Sequence, residues 1–141
     1  MAGAGDVALS QLLSEVESQV TRRLTAVLRT HDCTLEEWRV LSLLVGGSGR
    51  PMSEIASSVL LPAPTLTKLI DRMVADNLVY RRGDEQDRRR VLVFPSDRGL
   101  AKYVAIKSAV DSEQTELAQL LGSKDVATLT KVLSRAADAL R

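Results

Sequence analysis

Apolar positions along the 141-residue chain fall into helical stripes for most of its length. Leu12, Leu13, Val16, Val20, Leu24, Val27 and Leu28 are spaced by steps of one, three and four, which trace one face of a long first helix ending near His31. Thr34-Leu35-Glu36-Glu37 then has the form of a capping box that opens a second helix, with Cys33 and Trp38 placed to form its hydrophobic staple. That helix carries Leu35, Trp38, Leu41, Leu44 and Val45 inward. It stops at Gly46-Gly47-Ser48-Gly49-Arg50-Pro51, which reads as a connection. Two shorter helices follow, Ser53 to Val59 and Ala63 to Asp76, the second with Leu66, Leu69, Ile70, Met73 and Val74 inward. Pro62 disfavours helix just before it and suits a helix start just after it, so Leu60-Leu61-Pro62 predicts a tight turn between the two.

Beyond Asn77 the pattern changes. Leu78 to Arg82 and Arg90 to Phe94 are short runs rich in β-branched and aromatic residues, joined by the polar stretch Gly83 to Arg89, and they predict a hairpin with a charged tip. Pro95 ends the second strand and Ser96-Asp97 caps a further helix bearing Leu100, Tyr103, Val104, Lys107, Val110, Leu117 and Leu121. Gly122-Ser123 breaks that helix, and a last one from about Lys124 places Val126, Leu129, Val132, Leu133, Ala136 and Leu140 on one stripe. The expected fold is mainly α with a small β-hairpin. Its segments are 1–33, an N-terminal dimerisation helix; 34–95, a winged helix-turn-helix unit; and 96–141, C-terminal dimerisation helices. A small hairpin unit cannot cover the apolar stripes of the outer helices, so a homodimer is expected.

Composition narrows the function classes. With 45% hydrophobic residues the chain is too apolar for disorder, and with 3% aromatic residues its core must be built from Leu, Val, Ile and Ala. The net charge of +1, from 19 basic and 18 acidic residues, excludes a uniformly basic coat but not a local basic patch. One cysteine and one histidine supply neither an intrachain disulfide nor a structural zinc cluster. The opening MAGAGDVALSQLL lacks a secretory pattern, and no segment approaches the roughly 18 apolar residues of a membrane span, so a cytoplasmic protein without a membrane partner is expected. An enzyme is disfavoured. His31 and Cys33 have no third partner, and the carboxylates of Glu36 and Glu37 diverge around their helix. Gly46-Gly47-Ser48-Gly49 follows a helix and lacks the Lys-Ser/Thr of a phosphate loop, and no cofactor is expected.

The outward face of the fourth helix is Ala63, Pro64, Thr65, Thr67, Lys68, Asp71, Arg72, Ala75 and Asp76. Near its amino end this surface is small, hydroxyl-bearing and basic, which suits a helix that enters a major groove. Lys68 and Arg72 lie one turn apart, and Ser53 at the start of the preceding helix joins the DNA-facing set. The hairpin from Leu78 to Pro95 holds five arginines against three acidic residues, 5 − 3 = +2, with Arg88-Arg89-Arg90 consecutive at its tip. A guanidinium there is placed to enter a minor groove. Helix pair plus basic hairpin is the winged-helix arrangement, which makes double-stranded DNA the expected partner.

Two motifs in register carry a resemblance to a known family. Asp84-Glu85-Gln86-Asp87-Arg88-Arg89-Arg90, followed by Val91-Leu92-Val93-Phe94-Pro95-Ser96-Asp97-Arg98-Gly99, resembles the wing signature of the MarR family of bacterial transcriptional regulators. Thr65 to Met73 is similar to that family's recognition helix. The resemblance implies that Asp87 holds the wing by pairing with arginine, that Arg89 enters the minor groove, that Arg88 and Arg90 meet phosphate or solvent, and that Thr65, Thr67 and Lys68 lie in the major groove. Leu60 stands where the family's helix-turn-helix often has glycine, and Pro95 where an apolar strand residue is usual. The implied function is a dimeric regulator, most often a repressor, that binds a pseudo-palindromic operator and is released by a small aromatic or anionic effector. His31, Trp38, Thr67 and Arg81 are the ligand-binding candidates. Two alternatives accompany this reading. Cys33, just before a helix amino terminus where a thiol pKa can fall, would make the protein redox-responsive, although oxidant-sensing members keep their cysteine within the first helix. Binding without regard to sequence would make it an architectural DNA-binding protein.

Overall fold

The structure, a computed structural model, describes residues 2–141. Its elements in chain order are α1 (Ala2–Arg29), α2 (Leu35–Leu44), β1 (Arg50–Pro51), α3 (Met52–Val59), α4 (Ala63–Ala75), β2 (Val79–Gly83), β3 (Val91–Pro95), α5 (Asp97–Leu121) and α6 (Ser123–Ala139). Met1, where the expected first segment begins, lies outside the described residues. The first helix starts well before Leu12, because the small residues ahead of its apolar stripe continue the same helix.

The capping box at α2 forms as the sequence predicts: the Glu37 amide donates to Thr34 Oγ1 at 3.1 Å, and the Thr34 amide donates to Glu37 Oε2 at 3.5 Å. Cys33 and Trp38 are buried in one cluster, consistent with the staple. Val45 and Val74, expected inward, are exposed, since each sits at the end of its helix stripe where the chain turns away.

Three helix ends close alike. Asp32, Leu60 and Asn77 take left-handed φ values of 54°, 58° and 58°. The next amide then reaches five residues back: Cys33 to the Leu28 carbonyl at 3.1 Å, Leu61 to Ala56 at 3.1 Å and Leu78 to Met73 at 2.8 Å. This satisfies carbonyls that the helix leaves unpaired. Asp and Asn tolerate that backbone readily, whereas Leu does not, which accounts for glycine being usual where Leu60 stands.

The sheet has three strands, not the two of the expected hairpin, in the order β1-β3-β2 and antiparallel throughout. Arg50 pairs with Val93 and Pro51 with Leu92, so the end of the glycine-rich connection is an edge strand, a place where proline is tolerated. Gly49 (φ 74°) lies under the Phe94 ring, where a Cβ would stand 2.5 Å from Phe94 Cζ. Phe94 in turn stacks on Tyr80 with ring centroids 5.5 Å apart. Pro95 closes β3 as a buried residue, so it fills the apolar role expected at that position.

Two buried clusters result. One lies among α2, α3, α4 and the sheet, around Leu41, Leu44, Ile55, Leu66, Ile70 and Val93; the other joins the end of α1, the start of α2 and the middle of α5 through Leu28, Cys33, Trp38, Ile106 and Val110. The outer parts of the long helices have no such cover. In α6 no residue is buried, and Leu129, Val132 and Leu133 are exposed, as are Leu9, Leu12, Leu13 and Val16 of α1. Among the described residues no helix is long and apolar enough to cross a membrane.

Candidate nucleic-acid interface

The face predicted to meet DNA begins at a helix start with no side-chain cap. Pro62 is the N-cap of α4 and Pro64 its second residue, so the Ala63 and Thr65 amides lack a capping partner and lie at the positive end of the helix dipole. Such amides suit phosphate oxygens. Thr65, Thr67 and Lys68 are exposed on the first two turns. Thr67 Oγ1 donates to the Ala63 carbonyl at 3.0 Å, which holds its side chain in one orientation. Lys68 makes no ion pair among the described residues.

The later turns of α4 are tied into the fold instead. Asp71 Oδ1 accepts from Arg81 Nη2 of β2 at 2.6 Å, and Arg72 Nε lies 3.8 Å from Glu37 Oε1 of α2. The outward set is therefore concentrated in the first half of the helix. Arg72, predicted among the DNA-facing residues, is 59% exposed but directed to a carboxylate.

The wing turn is built by aspartates acting on backbone. Asp87 Oδ1 accepts from the Arg89 amide at 3.1 Å, and Asp84 Oδ1 from the Gln86 amide at 3.0 Å. The Arg90 amide donates to the Asp87 carbonyl, and the Asp84 amide to the Arg90 carbonyl, both at 2.9 Å. The expected Asp87–arginine ion pair is absent among the described residues, because its carboxylate caps the turn made by the arginines themselves. Of the wing arginines, Arg81 is held by Asp71, and Arg82 lies 3.4 Å from Glu85. Arg88, Arg89 and Arg90 are exposed and take part in no ion pair among the described residues. Ser53 and Arg90 line one open groove with Ser57 and Leu60, which Ala137 and Arg141 of the C-terminal end also border.

The four ligand candidates separate into two places. Trp38 is buried and stacked on Tyr103 of α5 at 4.9 Å, in the cluster that joins α1, α2 and α5, and His31 is half-buried on the connection leading to it. Thr67 and Arg81 face the reading side, and Arg81 is already neutralised by Asp71. Cys33 fits a structural residue and not the redox-responsive alternative. It is buried, its thiol donates to the Thr34 carbonyl at 3.4 Å, and burial pushes its pKa up to about 11 despite the pull of Lys102. That is the opposite of a reactive thiolate.

Sequence reasoning missed the second charge node. Glu37 is buried between Arg72 of α4 and Lys102 of α5, with Lys102 Nζ 3.9 Å from its Oε2 and donating to the Asp32 carbonyl at 3.0 Å. The capping box disclosed Glu37 as a helix-start residue, but nothing local in the chain announces its two distant partners.

Helix, left-handed turn, reading helix and an arginine-tipped three-stranded sheet define a winged helix-turn-helix DNA-binding unit. The model of the MarR family matches residues 31–90. The regulator FarR of Neisseria gonorrhoeae is 23% identical over 125 residues, which cover 89% of this chain and 86% of that one. Among solved structures, the transcriptional repressor CouR bound to a 23-mer DNA duplex superposes with a TM-score of 0.84 at 25% identity, over 92% of both chains. AbsC, a MarR family transcriptional regulator from Streptomyces coelicolor, gives 0.82 at 27% identity over 95% of this chain and 93% of that one. Over residues 31–90 the chain matches the MarR family, and over nearly its whole length it is similar to transcriptional regulators of that kind.

Proposed function

We propose that the protein is a dimeric repressor that reads a pseudo-palindromic operator, with 34–95 as the DNA-binding unit and 1–33 and 96–141 as the dimerisation segments. The observation that carries this reading is the exposed arginine triplet Arg88-Arg89-Arg90, without an ion pair among the described residues, together with the start of α4, which has no side-chain cap. In this reading Pro64, Thr65, Thr67 and Lys68 enter the major groove, Arg89 enters the adjacent minor groove, and Ser53, Arg88 and Arg90 meet phosphates. Asp87 acts indirectly by shaping the turn. Two such units read both half-sites when their helices stand about 34 Å apart, one turn of DNA.

The exposed apolar stripes of α1 and α6 support the homodimer, since a lone chain leaves them in water. The regulator acts in the cytoplasm and is released by a small aromatic or anionic effector that favours a dimer of different helix spacing. The stacked Trp38–Tyr103 pair and neighbouring Lys102 support an effector seat between the DNA-binding unit and the dimer helices. A thermal-shift screen of aromatic acids tests that seat.

Arg89→Ala tests the interface. It is expected to weaken binding to a selected duplex by about tenfold or more while leaving the dimer intact. Anisotropy titrations at several salt concentrations, with a random duplex alongside, separate operator reading from architectural binding. Unchanged affinity would remove the wing from the interface.

A further inference from the structure

Glu37 is the one buried charged side chain among the described residues. Its backbone amide and carboxylate close the start of α2, while the two carboxylate oxygens point to cations on different elements: Oε1 to Arg72 of the reading helix at 3.8 Å, Oε2 to Lys102 of the dimer helix at 3.9 Å. Lys102 is anchored a second time by the Asp32 carbonyl at 3.0 Å, so the α5 end of this link is held at the connection between α1 and α2. Gln at this position would preserve the capping box, which uses the side-chain oxygen, yet remove the charge that faces two cations. The residue type present therefore answers to more than capping.

We propose that Glu37 is a positioning residue for DNA binding, an internal strut that sets the attitude of α4 relative to α5. This rests on the reading of α4 as the DNA-facing helix. Arg72 lies past the outward half of α4, one turn beyond Lys68, so a pull on its guanidinium rotates the face that carries Thr65, Thr67 and Lys68. Lys102 sits one turn past Gly99, where α5 packs against the Leu78 carbonyl, so any displacement of α5 passes to the same carboxylate. The link acts on affinity through helix placement and touches no phosphate itself.

The test compares the full-length parent with Glu37→Gln, Lys102→Met and the double variant, with Arg89→Ala as reference, on one duplex selected by the parent. Stoichiometric titration gives the active fraction and anisotropy gives the affinity at several salt concentrations. Glu37→Gln is expected to lose about five- to tenfold in affinity with an undiminished active fraction, and with the slope against log salt unchanged because no phosphate contact is removed. Lys102→Met is expected to fall in the same direction, and the double variant to be no worse than Glu37→Gln, since both break one link. A merely destabilising substitution would lower the active fraction instead. If Glu37→Gln fails to fold, Lys102→Met, which leaves the capping box untouched, carries the test alone. Affinities of Glu37→Gln and Lys102→Met within twofold of the parent, while Arg89→Ala weakens binding, overturn the strut and leave the interface standing. A parent that binds no duplex overturns the interface reading itself.

Discussion

Leu60 turns the chain between α3 and α4 with φ 58° and ψ 43°, a conformation that crowds a Cβ against the following carbonyl. Its side chain is 82% exposed and contributes little packing in return. Leu60→Gly is therefore expected to raise stability by about 1 kcal/mol, after the greater freedom glycine has in the unfolded chain is set against the relieved strain. A higher urea midpoint with unchanged slope would show it; a lower midpoint would mean that Leu60 packs in a way the fold does not display. Cys33 makes a pH prediction. Its folded pKa of about 11 lies above the ordinary 9.0, so between those values the unfolded chain has lost the proton that the folded chain keeps. Stability is then lost as pH rises through that window, by roughly 2 kcal/mol from this group. Cys33→Ala should flatten the alkaline decline relative to the parent; equal slopes would contradict the burial account.

At the scale of elements, the joint between the wing and α5 decides whether the DNA-binding unit is held firmly. Ser96 Oγ donates to the Asn77 carbonyl at 2.6 Å and accepts from the Gly99 amide at 2.9 Å, while the Ser96 amide donates to the Leu78 carbonyl at 3.0 Å. At Gly99, a Cβ would lie 2.0 Å from that same Leu78 carbonyl oxygen, and backbone cannot swing aside as a side chain can. Gly99→Ala is expected to cost about 3 kcal/mol or more, read from denaturant unfolding; a loss below 1 kcal/mol would show that α5 slides freely on the sheet. The Ser and Gly of this joint were visible in the sequence as a motif. The reason for them was not, because the contact joins positions about twenty apart in the chain. The same limit hid β1: a two-residue strand has no period to detect, and only pairing with Val93 and Leu92 makes Arg50 and Pro51 a strand.

For the whole molecule, the proposed homodimer would cover the exposed stripes of α1 and α6. Leu129→Glu, which introduces a charge into the α6 stripe without touching either buried cluster, is expected to convert the protein to a monomer by sedimentation. Its affinity for a two-half-site duplex should fall by about a hundredfold or more, because the second half-site is then no longer captured within one complex. A Leu129→Glu protein that stays dimeric and binds as before would place the interface elsewhere.

The chain's own order of residues determined the features that depend on neighbours a few positions apart: the helical stripes, the capping box at Thr34, the turn before Pro62, and an arginine-rich wing after a reading helix. These signals are local, since they arise from helix period, backbone restriction and caps. Tertiary structure decided which of the basic residues remain free. Asp71 and Glu37 claim Arg81 and Arg72, and Asp87 turns to backbone, leaving Arg88, Arg89 and Arg90 without an ion-pair partner among the described residues. It also decided against the redox alternative, since Cys33 is a buried thiol. Charge pairing and desolvation depend on what folding brings close in space, which residue order along the chain does not record.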